Sequence, residues 1–269
     1  MIQSEEEVKS LRLSVSKTKT FLDCRKKFDF SYIQKLPKKE WEHHTFGKFC
    51  HKVLEDFHLF YINGSKDPYN ISMNKAFKNA LLEYKAQMTP EMKKECFALI
   101  SKYLKLISEQ KVSDNVLACE KTFELPIQMK NGGTLVLNGM IDRIQLDADN
   151  VIHVADYKTT KNKKYLKNDY FQLLTYAYVL ISEDPSIKKV RGSYVLLRHD
   201  FEYITAEFEV PEIMKIKDKY LEYADQILSE KEYTPNPTPL CNYCDFQNLC
   251  PEGKEKSFDN KKIYGEVKW

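Results

Sequence analysis

The stretches 134-TLVLNGMIDRIQL-146 and 151-VIHVADYKT-159 decide how this chain folds. The first follows Lys130-Asn131-Gly132-Gly133, a turn signal, and Leu117 to Met129 before it has the same strand character, so the two predict a β-hairpin. The second is a short apolar strand whose far end turns polar. Asp156 interrupts it, and a carboxylate at the end of a buried strand is costly unless something pairs with it. Lys158 lies two positions on and, in an extended strand, shares the face of Asp156. One reading is a structural ion pair from Asp156 to Lys158 or Arg143. The other takes Asp142, on the neighbouring hairpin strand, as a second acid reaching a shared divalent ion. Magnesium takes one or two carboxylates plus waters and phosphate oxygens, which suits two acids and a lysine in a phosphodiester-cleaving site.

Working outward, the period is helical on both sides of these strands. Ser14 to Thr18 supply N-cap residues for a helix of about five turns carrying Phe21, Cys24, Phe28 and Ile33. A second helix is predicted from near Thr45, with Phe49, Val53, Leu54 and Phe57 as its apolar stripe. Two more follow the break at Asn63-Gly64-Ser65, the later one capped by Thr89 with Pro90 at its first position. Beyond Lys158 come a helix over about 168–182, strands around 190–198 and 203–210, and a long helix opened by Pro211. Pro235, Pro237 and Pro239 end regular structure. The expected fold is α/β (α+β): a mixed central sheet flanked by helices. Three consecutive regions form one unit: a helical region over 1–115, a core over 116–232, and a cysteine-rich tail over 233–269.

Composition adds bounds. The formal charge of +3 arises from 42 basic and 39 acidic residues, so any nucleic-acid surface has to be a local basic groove. The polar N-terminus and the lack of an eighteen-residue apolar run predict an intracellular protein with no membrane association. Seven cysteines without a secretion signal argue against a disulfide framework. Cys241-Asn242-Tyr243-Cys244 with Cys250-Pro251 instead invites a fourth thiolate and a metal. Cys50, Cys96 and Cys119 fit buried small hydrophobes. No G-x-x-x-x-G-K-[ST] phosphate loop is present, so an unwinding partner is expected as a separate chain.

Taken in order, Gly139-x-Ile141-Asp142-Arg143, Asp156-Tyr157-Lys158-Thr159 and Gln172-x-x-x-Tyr176 resemble the RecB-like branch of the PD-(D/E)XK nuclease superfamily, whose fold is restriction-endonuclease-like. Gly47-x-x-x-His51 and Leu13-Ser14-Val15-Ser16 with Phe21-Leu22-Asp23-Cys24 extend the likeness over residues 13 to 251. The resemblance implies that His51, Asp142, Asp156 and the carbonyl of Tyr157 hold Mg2+ or Mn2+, and that Lys158 is the catalytic lysine. Gln172 and Tyr176, on one helix face, support the site. It further implies a 4Fe–4S cluster on Cys24, Cys241, Cys244 and Cys250, with zinc as the rival metal. Glu120 is a candidate for structural support or a second metal. His43, His44, His58, His153 and His199 receive no role.

The activity implied is a metal-dependent DNA exonuclease on single-stranded ends, in repair, recombination or CRISPR-type processing, a phage protein included. The partners are DNA and a separate helicase or recombination protein. A non-catalytic component that binds DNA ends and a structure-specific endonuclease are the alternatives. Lys161, Lys163, Lys164 and Lys167 form a basic loop suited to phosphates, and Arg25, Lys26 and Lys27 form a second basic group.

Overall fold

The computed structural model describes residues 10–39, 41–109, 115–166 and 169–255. Along the chain run β1 (Leu11–Leu13), α1 (Val15–Asp23), α2 (Arg25–Phe28), a π-helical turn (Asp29–Ile33), α3 (Glu42–Ile62), α4 (Tyr69–Tyr84) and α5 (Pro90–Ser108). Then come β2 (Val116–Gln128), β3 (Thr134–Leu146), β4 (Ile152–Lys158), α6 (Phe171–Glu183), β5 (Lys189–Leu196), β6 (Glu202–Glu209), α7 (Val210–Ser229) and α8 (Pro251–Glu255). The chain is thus a mixed α/β protein with a central mixed sheet flanked by helices, the predicted class.

Two compact units are interleaved in sequence. One is Met1–Glu40 with Pro126–Val136 and Tyr220–Trp269; the other is Trp41–Leu125 with Leu137–Lys219.

The second unit holds β4, β5 and β6 and most of β2 and β3. β2 pairs with β3, β3 runs antiparallel to β4, β4 parallel to β5, and β5 antiparallel to β6. A parallel pair needs a crossover, and α6 supplies it between β4 and β5. One sheet face carries Ala155 and Tyr157 of β4 and Val195 of β5 into a core with α3, α4 and α5. Phe49, Val53 and Phe57 of α3 are all buried there, each contributing about 1.5–3 kcal/mol by leaving water. The opposite face receives α6: a Cβ on Gly192 would lie 3.0 Å from Leu173. β4 is therefore covered on both sides, which explains its near-continuous apolar run.

In the first unit the expected five-turn helix is broken. α1 ends at Asp23 because Cys24 takes an extended backbone (φ −161°, ψ 113°) and its sulfur caps α2, accepting from the Lys27 N–H at 3.4 Å. Phe21 and Phe28 meet edge-on across the break at 5.1 Å. Downstream residues close over them, with Tyr233 stacked on Phe28 at 6.3 Å and Phe246 against Phe30 at 5.5 Å. α3 starts at Glu42, earlier than Thr45. α6 begins at Phe171, and Asn168, where the sequence had placed its start, lies outside the described residues.

Candidate metal centre

β3 and β4 bring the acids together. Their backbone ladder ends at Arg143↔Ala155. Just beyond it the Asp142 carboxylate, rather than its backbone, takes the Tyr157 N–H (2.8 Å). Asp142 sits inside β3 and is 9% exposed. α3 crosses this point. His51 Nε2–H donates to the Tyr157 carbonyl at 2.9 Å, and its Nδ1 lies 3.4 Å from Asp142 Oδ2. Gly47, one turn earlier, permits the approach: a Cβ there would sit 3.2 Å from Thr159 Oγ1.

Glu120 completes the cluster. It takes a positive φ of 46° within β2, a backbone state uncommon for a side-chain-bearing residue. One ligand atom from each of His51, Glu120 and Asp142 lies within 4.8 Å of the others. Burial, then the Asp142 charge and Glu55 beside it, pushes the Glu120 carboxyl up to about 8. Burial and the Asp156 charge likewise raise Asp142. Two acids driven toward protonation beside an imidazole are a donor set that a divalent cation would relieve, so these residues fit such an ion.

Asp156, expected among the ligands, falls outside that trio. It is 2% exposed, and its Oδ2 lies 2.6 Å from Lys158 Nζ, an ion contact that lacks hydrogen-bond geometry and leaves this oxygen otherwise unpartnered. Its Oδ1 accepts from Gln172 Nε2 (2.6 Å) and from the Tyr176 hydroxyl (3.4 Å). Gln172 Oε1 in turn accepts from Lys158 Nζ at 3.0 Å. The i, i+4 pair on α6 thus fixes both ends of the Asp156–Lys158 pair. Gly139 of β3 closes the back: a Cβ there would come within 2.7 Å of Phe123, whose ring packs against Tyr176.

Arg143 plays a part that sequence reading missed. It is fully buried, and its guanidinium forks to the hydroxyls of Tyr103 (2.8 Å), Tyr157 (3.1 Å) and Tyr203 (2.8 Å). Among the described residues no carboxylate pairs with it. The fork holds the Tyr157 ring, and Tyr157 is the residue whose backbone holds both Asp142 and His51. The available signal was an arginine inside a strand run buried on both faces; its three tyrosines come from distant elements. His58 joins the same network, 2.8 Å from Tyr103, and burial with Arg143 nearby keeps its pKa well below the ordinary value.

His153 lies 2.7 Å from Ser193 Oγ and 3.0 Å from Asp147. Ser193 is fully buried and also contacts Thr205 at 2.7 Å, so this Ser–His–Asp chain ties β4, β5 and β6 together. Of the basic loop, Lys161 is exposed and Lys163 pairs with Glu202 at 2.5 Å. The Lys164 side chain and Lys167 lie outside what the structure describes. Arg25 and Lys26 are already paired, with Glu230 and Asp29.

In the first unit, Cys24, Cys241, Cys244 and Cys250 line one cavity, walled by Phe30 and Phe246. The Asn236 N–H donates to Cys24 Sγ and the Thr238 N–H to Cys241 Sγ, both at 3.4 Å. Cys50 and Cys96, by contrast, are buried in the helical core with sulfurs 3.5 Å apart, and Cys119 is half-buried.

A family model described as the PD-(D/E)XK nuclease superfamily matches residues 12–251. The chain belongs to the PD-(D/E)XK nuclease superfamily. One polypeptide of the ATP-dependent helicase/deoxyribonuclease from Clostridium perfringens strain SM101 is 26% identical over 215 residues, covering 68% of this chain and 19% of the relative. Its counterpart from strain 13 matches equally. The chain therefore spans about a fifth of the length of these relatives. Among solved structures, a putative exonuclease from Eubacterium rectale superposes with a TM-score of 0.54 at 11% identity, over 99% of this chain and 100% of that one, a likeness of fold. No described helix is long and apolar enough to cross a membrane.

Proposed function

We propose that this nuclease is a divalent-metal-dependent deoxyribonuclease that hydrolyses phosphodiester bonds at single-stranded DNA ends. The observation that carries the reading is the meeting of His51, Glu120 and Asp142 within 4.8 Å, beside the buried Asp156–Lys158 pair. His51, Glu120 and Asp142 would hold Mg2+ or Mn2+, with Asp156 and the Tyr157 carbonyl at the rim. When bound, the cation supplies positive charge against the scissile phosphate and acidifies the attacking water.

The protein's own groups do the rest. Lys158 Nζ, held between Asp156 Oδ2 and Gln172 Oε1, is an oriented ammonium donor for the attacking water or for charge building on the phosphate oxygens. The water oxygen bonds to phosphorus and its proton passes to solvent, while the bond from phosphorus to the leaving oxygen breaks and that oxygen takes a proton from solvent to leave as a hydroxyl. Gln172 and Tyr176 keep Asp156 from turning away from Lys158.

The test is cleavage of end-labelled single and double strands by Asp156→Ala and Lys158→Ala proteins with Mg2+ or Mn2+. Losses of about 10²-fold or more are expected, and full activity in either variant would sink the assignment. A circular single strand left intact supports action at ends; its cleavage would make the enzyme an endonuclease. The joint helicase/deoxyribonuclease name of the relatives supports unwinding by a separate polypeptide.

The cysteine cavity supports a second component, a 4Fe–4S cluster on Cys24, Cys241, Cys244 and Cys250. Backbone N–H groups aimed at two of the sulfurs suit thiolates. Bound there, the cluster would tie the tail to α2 and rigidify this unit. Iron and sulfide analysis after anaerobic purification tests it; a colourless protein with stoichiometric zinc would contradict it.

A further inference from the structure

Three rings gather at the start of α3: Trp41 is tilted 39° against His43 at 5.8 Å between centroids, and His43 meets His44 edge-on at 4.3 Å. Both histidines are exposed and Trp41 is half-buried, whereas the next aromatic residue, Phe46, is fully buried. Spacings of three and four put His44, Gly47 and His51 on one face of the helix. Gly47 packs against Thr159, the residue after Lys158, and His51 reaches the metal trio. With a rise of 1.5 Å per residue, His44 sits about 10 Å along the axis from His51.

The loop beneath is held from the same side. Arg198 stacks on Phe46 at 4.2 Å and donates to the Thr159 carbonyl at 2.6 Å. Two exposed cations are near in the chain: Lys48, four residues after His44 on the helix, and Lys161, two residues beyond Thr159. A largely exposed aromatic cluster on the helix that carries His51, with cations close by in the chain, matches the chemistry of an unpaired nucleic-acid strand, whose bases offer ring faces and whose phosphates need charge. A duplex keeps its base faces stacked internally and offers the cluster nothing.

We infer that Trp41, His43 and His44 form a stacking platform for bases of a single strand a few nucleotides from the cleaved bond. The inference rests on the nuclease reading above and adds which residues would hold the unpaired strand beside the metal centre.

The experiment uses full-length protein carrying Lys158→Ala to suppress cleavage, with Ca2+ present, and a fluorescently labelled single-stranded oligonucleotide. Trp41→Ala, and separately His44→Ala, should weaken its binding by about 5- to 150-fold, the effect of losing one stacked base. Blunt duplex binding should change far less. The chain has two tryptophans, so Trp269→Phe leaves Trp41 as the sole reporter, and its emission should be quenched when the strand binds. Unchanged single-strand affinity in both variants, or no quenching, would overturn the platform. Equal losses for single strand and duplex would do the same. Cleavage by the otherwise unaltered protein is measured in parallel. If that protein cuts DNA while the tryptophan and affinity readouts stay flat, the platform alone fails; if it cuts nothing while both readouts respond, the nuclease reading alone fails.

Discussion

Glu120→Gln should stabilise the metal-free protein at alkaline pH. In the fold this carboxyl is pushed up to about 8 from an ordinary 4.5, chiefly by burial and then by Asp142. A group that holds its proton more tightly when folded makes the native state bind more protons than the unfolded chain between those two values. Stability is then highest near pH 4.5, falls as the pH rises toward about 8, and is level above it. At 1.36 kcal/mol per pH unit the full gap bounds the loss at about 5 kcal/mol. Glu120 is only partly buried, and solvent screening reduces the loss to on the order of 2 kcal/mol. For a chain of this size that is roughly 4–8 °C in Tm.

Glutamine keeps the shape and removes the charge, so in chelator the variant should melt roughly 4–8 °C higher than wild type near pH 8 and match it near pH 4.5. Asp142, shifted the same way, leaves a smaller residual slope in the variant. Saturating Mn2+ should restore wild type and help the variant less. Differential scanning calorimetry across pH, with and without Mn2+, reads all of this. A variant no more stable than wild type at high pH in chelator would refute the picture of crowded, cation-seeking acids.

Arg143→Lys, which cannot fork to three phenols, should cost about 3–5 kcal/mol in chemical denaturation. Tyr157→Phe, losing one hydrogen bond, should cost about 1 kcal/mol and weaken Mn2+ binding in calorimetric titration; unchanged metal affinity would show that the fork does not position the site. Gly139→Ala should destabilise by about 1–3 kcal/mol, because the added methyl drives Phe123 into Tyr176; an unchanged melting curve would contradict that contact. Cys24→Ser should abolish the visible absorbance and open the residues around 233–240 to limited proteolysis; retained iron would remove Cys24 from the ligand set.

Much of the fold was legible because local signals agreed. Alternation bounded by Gly132-Gly133 gives β3 its observed limits, and Thr89-Pro90 marks the start of α5 where the structure has it. Gly47–His51 and Gln172–Tyr176 were readable as helix faces, since i, i+4 spacing survives whatever packs on it. What depended on pairing between distant segments was not. Glu120, which lies with His51 and Asp142, takes a positive φ inside β2 that no residue type announces. Asp156 reads in sequence as a metal ligand beside Asp142; that its carboxylate also accepts from Gln172 and lies against Lys158 depends on how α6 packs. The break at Cys24 is invisible to helical periodicity, because it is set by a cysteine sulfur acting as a cap and by downstream chain folding onto it.

Anomalous diffraction from crystals grown with Mn2+ tests the central claim most directly. The account predicts a peak about 2.1 Å from a His51 ring nitrogen and from one carboxylate oxygen each of Glu120 and Asp142, with Lys158 still against Asp156. No peak at that position at saturating Mn2+, or one held elsewhere while DNA is still cut, would contradict it.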